Sequence, residues 1–157
     1  EMEQRCLTDL VERYAPAMLR AAAAILGDVS EAEDAVQDAF VRCLEKRPAF
    51  PDEARCRAWL LKVTANGCKS RLRARKRRPT QALTHDMPAP EPGDRAVAEA
   101  VMALPPTQRG AIHLYYYEGY STDEIAAILG KRPGTVRAIL TRARQALRET
   151  LKGDVTL

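Results

Sequence analysis

The side chains able to do chemistry in this chain are few in kind and uneven in placement. From Lys62 to Arg78 every residue charged at neutral pH is a base: Lys62, Lys69, Arg71, Arg73, Arg75, Lys76, Arg77 and Arg78. The same holds from Lys131 to Arg148, through Lys131, Arg132, Arg137, Arg142, Arg144 and Arg148. Between Asp28 and Asp38 the pattern inverts, with Asp28, Glu31, Glu33, Asp34 and Asp38 and no base among them. Cationic groups carried on a helix neutralise phosphates and donate to base edges in the major groove. Two separate basic faces and one acidic face imply a polyanion as one partner and a different surface as another.

Covalent and metal chemistry find little support. Cys6, Cys43, Cys56 and Cys68 form no C-x-x-C pair, and His85 and His113 lie far from them. That spacing argues against a zinc site and for reduced, mostly buried thiols in a cytosolic setting. The expectation is a protein that is not an enzyme and needs no cofactor or metal. There is no signal-peptide pattern at the start of the sequence and no apolar run near the ~18 residues of a membrane span. A soluble, cytoplasmic chain without membrane insertion, monomeric when free, is the reading.

The elements that must position these faces are helical. Only 5% of the 157 residues are aromatic while 46% are hydrophobic, so the core is built mainly from Ala, Leu, Ile and Val, which suits small helical units. A composition shift lies at "RRPTQALTHDMPAPEPGD", with Pro79, Pro88, Pro90, Pro92 and Gly93. Proline removes a backbone donor and biases its predecessor away from the helical region. This stretch reads as an extended linker. The fold class is therefore all-α: two small helical domains, residues 1–78 and 95–157, joined by a flexible Pro-rich linker at 79–94, with halves free to move in the unbound chain.

In the first half, Leu7, Leu10, Val11, Tyr14, Met18, Leu19, Ala22 and Ile25 recur at helical spacing, with Pro16 as a point of kinking or interruption. Gly27 is a terminator and Ser30 a cap for the next helix. That helix carries Ala32, Ala35, Val36, Ala39, Phe40, Cys43 and Leu44 inward, which turns Glu33, Asp34, Gln37 and Asp38 outward. A third helix starts near Glu53 or Ala54. Its bases begin at Lys62, several turns before its end, so complementing the helix dipole cannot be their whole purpose. Nor does any acid in that segment neutralise them. Trp59, alone in "AWLLKV", is of a kind more often packed in a core than used to stack bases.

In the second half, "EGYSTDEIAAILGKRPGTVRAIL" breaks a helix and restarts it at once. Taking Thr122 as the first position of a helix-turn-helix, Ala126 is the small fifth residue and Gly130 the turn residue, where positive φ is easiest. Val136 and Ile139 return to the seam. Ser121 and Glu124 form a capping box, and Pro133 opens the second helix. That helix exposes Arg132, Thr135, Arg137, Ala138, Thr141 and Arg142 to phosphates and groove edges. The motif alone fits repressors, response-regulator output domains, recombinases and polymerase subunits.

The two halves together are more specific. The chain resembles the sigma subunits of bacterial RNA polymerase, in particular the small two-domain extracytoplasmic-function group, over about Leu7 to Leu151. In the first half the likeness rests on "ILGDVSEAEDAVQDAFVRCLEK" and "RAWLLKVTANGCKSRLRARKRR". In the second it rests on "LPPTQRGAIHLYYYEGYSTDEIAAILGKRPGTVRAILTRARQAL". The resemblance implies that Asp34, Gln37, Asp38, Phe40 and Arg42 dock on the polymerase's largest subunit. It implies that Trp59, Lys62, Asn66, Lys69, Ser70 and Arg73 melt and hold the −10 element. Arg109, Ser121, Thr122, Arg132, Thr135, Arg137, Ala138, Thr141 and Arg142 match positions that bind the −35 element or its flanking phosphates.

Core RNA polymerase, promoter DNA and an anti-sigma factor are the partners so implied. Three positions depart from the family pattern. Ser70 stands where an acid is usual, Ile139 where many members have Arg, and Arg132 where a small polar cap is common. The implied promoter elements lie about 17 base pairs apart, roughly 55–60 Å at ~3.4 Å per pair. An extended linker of about 16 residues at ~3.3 Å each, plus the domains, covers that gap. The rival reading is a stand-alone helix-turn-helix regulator, which would need a dimerisation surface or a receiver-like domain. A serine recombinase would need an α/β catalytic domain, and neither requirement has a counterpart in the sequence. A non-initiating relative that only sequesters a partner draws its support from Ser70 and Ile139.

Overall fold

A computed structural model of the chain describes residues 2–46, 48–77 and 95–154. Among the described residues there are seven α-helices, one π-helical turn and no strand. Helices α1 (Met2–Leu26), α2 (Val29–Lys46) and α3 (Glu53–Arg77) form the first half. The second comprises α4 (Arg95–Met102), α5 (Pro106–Ile112), the π turn His113–Tyr117, α6 (Thr122–Leu129) and α7 (Pro133–Asp154). The expected linker at 79–94, together with Leu7, Leu10, Cys6 and His85, lies outside the residues whose side chains are described.

In the first half three helices pack pairwise around Met18, Leu26, Leu60, Leu61 and Cys68. Ala32, Ala35 and Ala39 make the inner face of α2 small, so its neighbours approach closely. Helix α1 passes Pro16 without interruption. Two inward assignments are corrected: Val11 is exposed, and Leu44 is 49% exposed in the last turn of α2. Gly27 ends α1, its N–H meeting the Ala23 carbonyl at 2.7 Å. The cap of α2 is Asp28 rather than Ser30, because the Asp28 carboxylate accepts from the Glu31 N–H at 3.2 Å. Asp52 does the same for α3, accepting from the Arg55 N–H at 2.8 Å.

The second half closes around Leu114, Ile125, Ile128, Leu129, Val136 and Leu140. After α5 the ladder widens to an i→i+5 bond, Glu118 N–H to the His113 carbonyl at 3.1 Å. The wide turn brings the His113 ring to the Glu118 carboxylate, Nε2 to Oε2 at 2.8 Å.

The sequence predicts halves free of each other; in the structure they touch along two lines, α1 on α5 and α3 on α6. Composition cannot show this, because the contact is held by polar groups meeting helix ends far away in sequence. Arg109 of α5 donates to the carbonyls of Ala24 at 3.0 Å, Ile25 at 2.6 Å and Met102 at 3.1 Å. Lys69 of α3 donates from Nζ to the Leu129 carbonyl at the end of α6. Arg20 of α1 grips Glu118 with two bonds, at 2.9 and 3.0 Å. The Arg57 guanidinium lies over the Tyr120 ring at 5.1 Å.

Candidate nucleic-acid interface

The helix-turn-helix is built as its residue types require. Ser121 Oγ accepts from the Glu124 N–H at 3.2 Å while the Glu124 carboxylate accepts from the Ser121 N–H at 2.9 Å. These reciprocal bonds satisfy two orphan donors at the start of α6. At its end Gly130 adopts φ 68°, ψ 39°, a left-handed cap that glycine enters without a Cβ penalty. Lys131 N–H then closes on the Ala126 carbonyl at 2.9 Å.

Helix α7 buries Val136, Ile139, Leu140 and Ala143. That seam leaves Arg132, Thr135, Arg137, Thr141 and Arg142 exposed and Ala138 half-buried. Ile139 thus serves packing rather than phosphate contact. Thr141 returns its hydroxyl to the Arg137 carbonyl at 2.9 Å. Arg144 is turned to the π segment, its Nε donating to the Tyr116 hydroxyl at 2.6 Å. Ser121 is exposed but committed to the cap, and Thr122 is half-buried.

On α3 the spacing of Lys62, Asn66, Ser70 and Arg73 yields one exposed ridge. Ser70 accepts from Arg73 at 3.2 Å and donates to the Asn66 carbonyl at 3.3 Å, so the residue that departs from the family's acid orients its neighbours instead. Trp59 is half-buried against Phe50, ring centroids 5.7 Å apart, the packing role weighed for it. Lys69 is half-buried at the contact with α6, and its ammonium is pushed down first by burial and then by Lys131 and Arg73.

The rest of the run divides in a way the sequence does not reveal. Arg71 pairs with Asp38 at 2.6 Å, and Arg75 pairs with Glu31 and donates to the Leu26 carbonyl at 2.9 Å. Acids of α2 therefore do neutralise part of the basic run, contrary to the local reading. Arg109, expected at the upstream element, has its guanidinium in the contact between the halves, with its pKa lowered first by burial and then by Arg75.

The acidic face of α2 exposes Asp34, Gln37, Asp38 and Arg42, with Phe40 packed partly into the core. Sequence reasoning missed that Val41 and Leu44, both 49% exposed, continue this face. Val41 stands seven residues after Asp34 and four after Gln37, and Leu44 seven after Gln37, and that spacing was the available signal. Cys43, Cys56 and Cys68 are buried free thiols, and burial raises the Cys68 pKa to about 12. Among the described residues no three His, Cys, Asp or Glu side chains gather as metal ligands.

A capped helix-turn-helix with an exposed basic second helix, joined to a second basic helix, is the architecture of a DNA-binding protein. Family comparison agrees half by half: residues 10–78 match sigma-70 region 2 and residues 94–147 match sigma-70, region 4. The chain is 33% identical over 161 residues to the ECF RNA polymerase sigma factor SigL of Mycobacterium tuberculosis, covering 96% of this chain and 91% of SigL. It is 32% identical to the probable RNA polymerase sigma factor RfaY of Xanthomonas campestris pv. campestris, but spans only 36% of that protein. Among solved structures, the sigma factor RpoE of Bartonella quintana, in complex with the anti-sigma factor NepR, superimposes with a TM-score of 0.78 at 27% identity, over 96% of this chain and 98% of RpoE. The chain belongs to the sigma-70 family. Within it, the chain is an ECF sigma factor.

Proposed function

We propose that this sigma factor joins core RNA polymerase through the exposed α2 face of Asp34, Gln37, Asp38 and Arg42. It then reads two promoter elements, one with each half. The α3 ridge of Lys62, Asn66, Lys69, Ser70 and Arg73 takes the unpaired −10 strand, where bound bases offset the cost of opening the duplex. Helix α7 takes the −35 duplex through Arg132, Thr135, Arg137, Ala138, Thr141 and Arg142. The chain contributes binding and placement, and the polymerase core supplies the chemistry. Among the described residues no helix is long and apolar enough to cross a membrane, in keeping with work in the cytoplasm. The solved complex of the similar RpoE with NepR supports an anti-sigma partner for this chain also.

The observation that carries the reading is the exposed basic face of α7, set by a helix-turn-helix whose first helix is capped at both ends. Run-off transcription with core polymerase, with and without the chain, across a library of promoter sequences tests it. Transcripts from a shared pair of boxes are the expected result. Tight binding of the isolated chain to a palindromic duplex, with no stimulated transcript, would replace it with a stand-alone regulator.

A further inference from the structure

Side chains two residues apart on a helix point to opposite sides, and the arginines of α3 divide accordingly. Arg71 reaches Asp38 at 2.6 Å, while Arg75 reaches Glu31 and the Leu26 carbonyl, so both lie against neighbouring helices. Arg73, between them in sequence, is exposed on the ridge with Lys62, Asn66 and Ser70. Among the described residues no carboxylate pairs with it. Its partner is the Ser70 hydroxyl, which accepts from Nη2 at 3.2 Å.

The single proton of that hydroxyl is committed. A serine has one donor, and Ser70 gives it to the Asn66 carbonyl one turn back, at 3.3 Å. The bond holds the oxygen with a lone pair toward Arg73 and leaves no proton for a phosphate. The guanidinium, by contrast, spends one N–H on Ser70 and keeps others in the fork that suits a phosphate. Resting on the reading that the α3 ridge takes the unpaired −10 strand, we propose that Ser70 is a positioning residue. It acts through Arg73 rather than on the DNA, fixing the guanidinium to receive a backbone phosphate of that strand. A neutral hydroxyl does this without cancelling the charge, as a carboxylate at the same position would.

A double-mutant cycle separates a positioning role from a direct contact. The full chain, Ser70→Ala, Arg73→Ala and the double variant are titrated by fluorescence anisotropy over a series of salt concentrations. The probe is a short labelled single-stranded DNA of random sequence, because phosphate contacts are made whatever the base. Ser70→Thr keeps a hydroxyl able to bond back to the preceding turn, whereas Ser70→Asp sets an anion three residues before Arg73. Thermal unfolding of the same proteins reports any structural role.

Arg73→Ala should reduce the salt slope by about 0.7, the share of one phosphate on a single strand. Ser70→Ala should weaken binding about three- to tenfold, the effect of freeing one rotamer-rich side chain, and should do nothing further once Arg73 is alanine. Threonine should restore binding, and aspartate should bind as weakly as Arg73→Ala. Melting should not follow affinity: alanine suits a helix better than a back-bonded serine, so Ser70→Ala should melt no lower than the wild type. Wild-type affinity in Ser70→Ala, effects that add in the double variant, or a loss that tracks a lower melting temperature would each overturn the positioning role and leave the ridge standing. Unchanged affinity and salt slope in Arg73→Ala would instead sink the reading of the ridge, and the role of Ser70 with it.

Discussion

Ser121 caps α6, and substitutions at this one position can separate that role from the phosphate contact proposed for it. Its hydroxyl accepts from the Glu124 N–H at 3.2 Å, and its proton remains free to donate to a phosphate where the family likeness places one. Ser121→Ala deletes the acceptor but leaves the Glu124 carboxylate on the Ser121 N–H at 2.9 Å, so half of the box survives. Loss of such a cap costs about 1 kcal/mol, and the exposure of Ser121 lets water recover part of it. In a chain of this size that lowers the melting temperature by about 2–4 °C.

Ser121→Asp keeps an acceptor of equal rank at the cap. Its attraction to the helix N-terminus and its repulsion from Glu124 oppose each other at a few tenths of a kcal/mol. Stability should therefore rank Ser and Asp together, above Ala. Affinity for upstream duplex should rank Ser, then Ala, then Asp, since the carboxylate faces phosphate. Thermal unfolding and fluorescence anisotropy on the same three proteins give both orders. If Asp melts as low as Ala, the capping argument is wrong; if Ala and Asp bind DNA alike, the hydroxyl does not face the backbone.

Acidification should unfold the chain in two stages with one sign. The His113 pKa is lowered, first by burial, and that of Glu118 is lowered, first by its hydrogen bonds to Arg20. For both groups the unfolded chain binds protons that the folded chain refuses, so stability is lost as pH falls. The loss begins near His113's ordinary 6.5 and resumes below Glu118's ordinary 4.5; urea titrations from pH 8 to 3 should show the first stage vanish in His113→Gln. Arg137→Ala should weaken duplex binding at every sequence tested, reduce the salt slope by about one and leave association with core polymerase unchanged in pull-down. Reversing Asp34 and Asp38 to Lys should cut association with core at least about tenfold. Leu60→Ala, at a site with no exposure, should cost about 2–5 kcal/mol in urea unfolding.

What the sequence disclosed was what is local. Ser121, Glu124, Gly130 and Pro133 act within a dozen residues of one another, so their types alone dictated the turn. The cap of α2 was misplaced: Ser30 was expected, but Asp28, two residues earlier and also after Gly27, takes the cap. Helical spacing found the inner stripes but not where along α1 and α2 their partners end, which is why Val11 and Leu44 are exposed. The pairs Arg71–Asp38 and Arg75–Glu31 and the seating of Arg109 join positions 33 to 85 residues apart. No periodicity encodes such pairings, so the basic run looked uniform although Arg71 and Arg75 pair with acids of α2.

The same geometry sets an order of events. Asp34, Gln37, Val41, Arg42 and Leu44 are exposed on α2 while the halves touch, so docking at the face proposed for the polymerase should need no prior opening. Lys69 and Arg109 are engaged between the halves, so the DNA contacts proposed for them should need that contact to part. A partner that docks equally on closed and open forms shifts nothing between them. A polymerase that parts the halves would therefore have to make a second contact available only when they part. Core polymerase added to wild-type chain should then loosen the contact between α1 and α5, seen as faster amide exchange at Ala111 and Ile112, which are buried there. Unchanged exchange in the bound chain would mean that DNA rather than the polymerase opens it.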